Sequence, residues 1–295
     1  MNNIPIRWNM QDMIEERPQP HRKSIHEGSR DLPICDASKI TGRSSSVLHG
    51  HQYFIMTLIT RGNGIQSING KDIPFCPGDL FLLSPADFHC NTLAEGDTFD
   101  YLRLCFLYEL MDEKLSALFP PDKLPLHLHL SDDCAPQIKN IFLRLIEECE
   151  TEENQIGRNI YLQALTEQLL ILVLRQLPPS HTPVSSAPVN RALGYVHAHF
   201  HEPISVGDAA AFVGYTPNHF NFCFRSQIGI PFGEYLRNMR LTYGENLLKA
   251  SKMPVTEVAF ESGFNSLSHF SRSFREKHGC SPMEYRQNAQ VNKEK

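Results

Sequence analysis

Two groups of side chains in this chain of 295 residues have the types and spacing to do chemistry. The first is His49, His51, Tyr53, His89 and Arg103. His49 and His51 alternate along a stretch that reads as a strand, so they face the same way. With the phenol and the guanidinium they can donate and accept hydrogen bonds to a small polar ligand, although histidines at such places also occur as satisfied core or surface groups. The second group falls into two sets: Asn218, His219, Asn221, Phe222 and Arg225, then Leu267, Ser268, Ser271, Arg272 and Arg275. Asn pairs bidentately with adenine, Arg with guanine, and Phe meets a thymine methyl. Arg225 and Arg275, at the far ends of their helices, suit phosphates, which position without specifying. No catalytic set, metal or cofactor is assigned.

The second group is positioned by an internal repeat. Ala210 to Ala259 and Gly214 to Gly263 are each 49 residues apart, while Phe220 to Phe270, Phe224 to Phe274, Gly229 to Gly279 and Tyr235 to Tyr285 are each 50 apart. Such spacing means one supersecondary unit used twice. In the first copy Val206, Ala209, Ala210 and Val213 make one apolar helical face, Ser205 caps it and Asp208 suits its dipole. Gly214 supplies the positive φ that ends the helix. Thr216 caps a second helix with Pro217 at its first position, and Phe220, Phe224 and Ile228 turn inward. The second copy repeats this with Val255, Val258 and Ala259, then Gly263, Asn265 as cap, and Phe270 and Phe274 inward. Pro254 replaces the capping serine there. Residues left outward on each second helix are the ones named above, as in a helix-turn-helix that enters the major groove. Residues 234–250 read as a helix holding the units apart, so that one subunit covers a non-palindromic site.

These residues resemble the DNA-binding domain of the AraC/XylS family of transcriptional regulators. The second copy carries the signature Val258-Ala259, Gly263-Phe264, Ser268, Phe270-Ser271-Arg272-Ser273-Phe274-Arg275, Gly279, Ser281-Pro282 and Tyr285-Arg286. The first copy departs from it with Phe222 at a usually basic position, leaving more specificity to the second. Upstream, Gly/Pro-punctuated strands at 53–60, 65–68, 80–83 and 101–107, with the hairpin signal Asn69-Gly70, suggest a sandwich or barrel. His49-x-His51, Asn69-Gly70, Pro77-Gly78-Asp79, Pro85 and His89 are similar to the cupin-like sensing domain of the same family. His49, His51 and His89 resemble the metal ligands of cupin enzymes, but Ile55 and Met56 stand where such enzymes place an acid. The resemblance implies a small-molecule effector, a carbohydrate by analogy with sugar-responsive members, and an activating regulator. Its implied partners are double-stranded DNA, RNA polymerase and a second copy of the chain. A metalloenzyme with a DNA-binding tail and a ligand-independent dimeric regulator stay open as alternatives.

The expected fold is therefore α+β and multidomain. An arm spans 1–30, and a cupin-like barrel spans 31–177 with a helix pair at 134–177. A linker at 178–189 leads to an all-α domain at 190–290, followed by a tail at 291–295. In the helix pair, Ile138, Ile141, Phe142, Leu145 and Ile146 make one stripe. Ile160, Leu162, Leu165, Leu169, Leu170, Leu172 and Val173 make a wider one, which serves a dimer contact, cover for the barrel, or both. The net charge of −5 divides unevenly: residues 190–295 hold twelve Lys/Arg against nine Asp/Glu, so the positive excess lies with the repeat, where phosphate neutralisation needs it. No apolar run reaches a membrane span and no signal peptide opens the chain, pointing to the cytoplasm. The eight cysteines are scattered, without a C-x-x-C pair, and read as buried free thiols in a reducing compartment.

Overall fold

The computed structural model describes residues 35–291 except 47, 52, 120–122, 152–154 and 178–186. The arm, most of the linker and nearly all of the tail lie outside the described residues. Two antiparallel sheets make the N-terminal part. The first runs β1 (Cys35–Gly42), β8 (Phe99–Phe106), β3 (Phe54–Arg61), β6 (Asp79–Leu83), β9 (Leu126–His129). The second runs β2 (His49–Gly50), β7 (Phe88–Thr92), β4 (Gly64–Ile68), β5 (Lys71–Phe75).

Strand β3 is mostly apolar and buried without a break from Phe54 to Ile59 because both its faces are covered. Phe54, Met56 and Leu58 join the core under the helices, while Ile59 joins Ile68, Phe75, Phe81, Leu83 and Phe99 in a second cluster. Asn69 (φ 51°) and Gly70 (φ 83°) close the hairpin from β4 to β5, as their left-handed tolerance requires. Strands β1 and β7 carry no clean alternation, and pairing with β8 and β4 makes them strands, whereas β9 alternates inward leucines with outward histidines and pairs with β6.

Helices α1 (Glu113–Leu118), α2 (Ala135–Glu150) and α3 (Arg158–Leu174) follow. The first stripe is buried as expected, and so are Leu162, Leu165, Leu169, Leu170 and Val173 of the second. Ile160 departs from it. It is 75% exposed, and Leu143, Tyr161 and Ile171 are exposed with it.

The C-terminal part is helical: α4 (Ala187–His199), α5 (Val206–Phe212), α6 (Pro217–Ile228), α7 (Phe232–Ala250), α8 (Val255–Glu261), α9 (Leu267–His278) and α10 (Pro282–Val291). Helix α4 begins inside the stretch read as linker, because Val189, Ala192, Leu193 and Val196 bury a helical face in the same core as both repeat units. The equivalent helices match in length, seven residues for α5 and α8 and twelve for α6 and α9.

Polar and aromatic groups stitch the two parts together. The Asn190 amide donates to the Ala117 carbonyl (2.8 Å), and the Tyr108 hydroxyl donates to the Arg191 carbonyl (3.0 Å). The Tyr108 ring lies so close to Gly194 that a Cβ there would fall 2.1 Å from it. Phe88 at the start of β7 belongs to the C-terminal core and meets Tyr243 edge-on, with ring centroids 5.1 Å apart. Asn246 of α7 donates to Asn69 (3.3 Å) beside it.

Candidate nucleic-acid interface and sensor cluster

Each repeat unit is built as its residues dictate. Ser205 accepts from the Gly207 and Asp208 amides while Asp208 accepts from the Ser205 amide, a capping box at the start of α5. Gly214 (φ 74°) ends that segment, and Thr216 caps α6 by accepting from the His219 amide. In the second unit Pro254 offers no side-chain cap, as its residue type requires. The cap of α9 is Ser266, accepting from the His269 amide, and not Asn265. One residue is inserted between Gly263 and the cap, and the 50-residue spacing from Thr216 already pointed to Ser266.

Phe220, Phe224, Phe270 and Phe274 are fully buried. The opposite faces of α6 and α9 stay open: Asn218, His219, Asn221, Phe222 and Arg225 are exposed, as are Leu267, Ser268, Arg272 and Arg275, with Ser271 half-buried. Phe222 is 73% exposed, a large apolar ring with no core to serve. Two of these side chains have local commitments. Asn221 Oδ1 accepts from the Phe232 amide (3.3 Å), leaving its amide nitrogen for other use, and the His219 ring lies 4.6 Å from that of Tyr215. The last turn of α9 carries Arg275, Lys277 and His278, against Arg225 alone in α6.

The sensor residues come together on one end of the paired sheets. His49 and His89 are direct cross-strand partners. His51 Nε2 stands 3.2 Å from His89 Nε2, and ring centroids of His49 lie 4.9 Å from His51 and 4.5 Å from His89. Tyr53 packs 5.1 Å from His51, and burial raises its pKa. Burial, reinforced by the positive charges of His49 and Arg103, holds His89 well below the ordinary imidazole range, so it stands neutral. Gln66, missed in the sequence, bonds to His89 Nδ1 (3.1 Å) and fixes that ring. Its signal was an amide among the isoleucines of a short strand. Arg103 pairs in register with Ser38 and Thr57, hence on the same face of its sheet. Arg103 Nε, Ser38 Oγ and Asn91 Oδ1 are buried without a hydrogen-bond partner. The ligand atoms of His49, His51 and His89 all lie within 4.8 Å of one another, close enough to share one metal ion. A narrow cleft joins His51 and Pro85 to Phe200, His201, Tyr243 and Glu261 of the helical part.

All eight cysteines are free; Cys35 and Cys105 are buried and Cys134, Cys149 and Cys223 pack half-buried against the apolar clusters, while Cys76 is exposed, so full burial holds for two of them only. Among the described residues, no helix is long and apolar enough to cross a membrane.

Family profiles match on both sides of the seam. The one described as an AraC-like ligand binding domain covers residues 40–170, and a helix-turn-helix domain covers 209–288. The chain belongs to the AraC/XylS family. Its relatives within and around this family include an uncharacterized HTH-type transcriptional regulator of Staphylococcus aureus, 24% identical over 217 residues, 71% of this chain but 28% of that protein. YbfI of Bacillus subtilis, also an uncharacterized HTH-type transcriptional regulator, is 23% identical over 75% of this chain and 80% of its own. The chain thus spans 28% of the length of the staphylococcal relatives. Among solved structures, the DNA-binding domain of AdpA in complex with a target DNA is 30% identical over 36% of this chain and 95% of its own, with a TM-score of 0.35. ToxT from Vibrio cholerae is 13% identical over 86% of this chain and 97% of its own, with a TM-score of 0.42.

Proposed function

We propose that this AraC/XylS-family chain is a sequence-specific DNA-binding transcription regulator governed by a small polar effector. The observation that carries this is the duplicated, capped helix pair whose second helices bury two phenylalanines each and leave their base-reading candidates exposed. Asn218, Asn221 and Phe222 read base edges in the first unit, and Ser268, Ser271 and Arg272 in the second. Arg225 and Arg275 hold phosphates, and His219 and Leu267 flank the groove. The rod α7 fixes the spacing of the two readers, so one chain covers two successive major-groove faces.

His49, His51, Tyr53, His89 and Arg103 hold the effector, for which a carbohydrate is the first candidate. A homodimer through α2 and α3 would cover the exposed Leu143, Ile160, Tyr161 and Ile171. The regulator is read as a cytoplasmic activator acting on RNA polymerase. Selection of binding sites from genomic fragments, with and without sugars, tests the reading: specific fragments should outcompete random duplex, and a sugar should shift the selection. Failure of any fragment to outcompete random duplex overturns it.

The convergence of three imidazole ligand atoms favours one second reading, a cupin-type metalloenzyme with a DNA-binding tail. Stoichiometric iron, manganese or zinc in the purified protein, lost on His51→Ala, would favour that reading.

A further inference from the structure

A second group of ligand-type side chains lies away from both the readers and the sensor cluster, where β6 begins and β9 ends. Asp79 pairs directly with His129 across these strands, and Phe81 with His127. Direct partners in an antiparallel pair share a face, and residues two apart on a strand share one too. Asp79, His127 and His129 therefore point the same way.

Both imidazoles converge on one oxygen. Asp79 Oδ1 lies 3.0 Å from His129 Nδ1 and 3.2 Å from His127 Nε2, while Oδ2 accepts from the Cys76 amide (2.7 Å). The turn Cys76-Pro77-Gly78-Asp79 brings the Cys76 thiol to the same place, so that ligand atoms of Cys76, Asp79 and His129 all lie within 4.8 Å of one another. Gly78 (φ 96°) is needed for that turn, and a Cβ on it would stand 3.3 Å from the His129 ring. The turn is tied down on both sides, by Gly78 donating to the Ile59 carbonyl (2.9 Å) and accepting from the Leu130 amide (3.0 Å). His127 is held flat against Phe81, with centroids 4.6 Å apart.

We propose that Cys76, Asp79, His127 and His129 form a binding site for a divalent cation of the zinc class. One thiolate, one carboxylate and two imidazoles are the donors such an ion prefers in a tetrahedron. With bonds of about 2.0–2.3 Å, neighbouring donors in that tetrahedron stand roughly 3.3–3.6 Å apart. The two Asp79–histidine separations are already near this spacing; His127 stands outside the set of three whose ligand atoms all lie within 4.8 Å of one another, and rotation of the exposed Cys76 and His129 side chains closes the remainder. Binding displaces the proton of the thiol and of any imidazolium into solvent as the metal–sulfur and metal–nitrogen bonds form, and no redox step is involved. It clasps the edge strand β9 to the β5–β6 turn immediately ahead of α2.

Cobalt(II) added to the reduced, metal-free full chain tests this. The expected result is a thiolate-to-cobalt charge-transfer band with the visible bands of a tetrahedral centre, displaced by zinc. Cys76→Ser should abolish the charge-transfer band and weaken zinc binding by more than roughly tenfold, with His129→Ala weakening it likewise. The band should persist in Cys90→Ser and in the His49→Ala/His51→Ala double variant, which separates this site from the sensor cluster. Circular dichroism confirms that each variant is folded. No band in the wild type, or a band that survives Cys76→Ser, overturns the proposal and leaves a plain carboxylate–imidazole ion pair.

Discussion

Set side by side, the first helix-turn-helix unit opens on a capping box at Ser205 and Asp208, whereas the second opens on Pro254 without a side-chain cap. The equivalent tyrosines also differ in company. Tyr235 bonds to His197 (2.9 Å), a buried imidazole on α4, while Tyr285 donates to the Glu245 carboxylate (2.6 Å) on α7. Outside, the first recognition helix presents Phe222 where the second presents Arg272, and its last turn is the less basic. Duplication has kept the apolar skeleton and let the polar chemistry diverge. A repeat conserves what packs, and what meets water or DNA is free to differ.

The skeleton's equivalence is the part most sharply tested. Phe224 meets Phe220, Phe232 and Tyr235, and Phe274 meets Phe270, His278 and Tyr285, both with no exposed surface. Phe224→Ala and Phe274→Ala should each cost about 3–5 kcal/mol in urea unfolding. A variant that unfolds like wild type breaks the equivalence at that unit.

Acid should act on the first unit through His197. Burial pushes its pKa down to about 4, so the unfolded chain takes up its proton first as pH falls below the ordinary value of 6.5. Stability should therefore drop by about 3 kcal/mol between pH 6.5 and 4, reading roughly 1.4 kcal/mol per pKa unit. Burial lowers His278 in the second unit in the same sense, while Asp87, raised by burial, acts in the opposite one. For Glu245, burial pushes upward but hydrogen bonds from Lys249 and Tyr285 outweigh it, so its contribution persists to lower pH and is lost through its depressed pKa. Urea midpoints across this range should flatten in His197→Gln. An unchanged slope would remove His197 from the account.

For the outer faces, Arg272→Ala should cost about 1–3 kcal/mol of discrimination at one base position. Phe222→Ala should relax sequence preference less, since an apolar contact reads only a methyl. Binding competition against single-base operator variants measures both, and equal weakening of Arg272→Ala on random DNA would refute base readout. The smallest effect belongs to the caps: Ser205→Ala should lose about 1 kcal/mol, and Pro254→Ser should gain a fraction of it. A null result at both would mean the caps do not distinguish the units.

The helical half was legible because its information is local and stated twice. Thr216 with Pro217, the glycines at 214, 229, 263 and 279, and the paired phenylalanines each act within a turn or two of the chain. The one misplaced cap, Asn265 for Ser266, came from reading the second copy alone instead of through its spacing to the first. The barrel was legible only where a turn or an apolar run spoke for itself, as at Asn69-Gly70 and β3. Strand β9 carries a short Leu/His alternation of its own, whereas β1 and β7 exist because distant partners hold them. The same holds for the sensor cluster. His49, His51 and His89 were visible as residue types, but Gln66 enters only through a hydrogen bond made across the sheet. No periodicity could have announced that α4 would dock on Tyr108.

That docking has a consequence for how such a chain can vary. The ring of Tyr108 occupies the space a methyl group at position 194 would need. Adding one carbon there wedges the seam open while leaving the proposed reader and sensor side chains intact. Alleles that sever signal from response, locked on or locked off with both ends in working order, should therefore accumulate at this bare point of backbone.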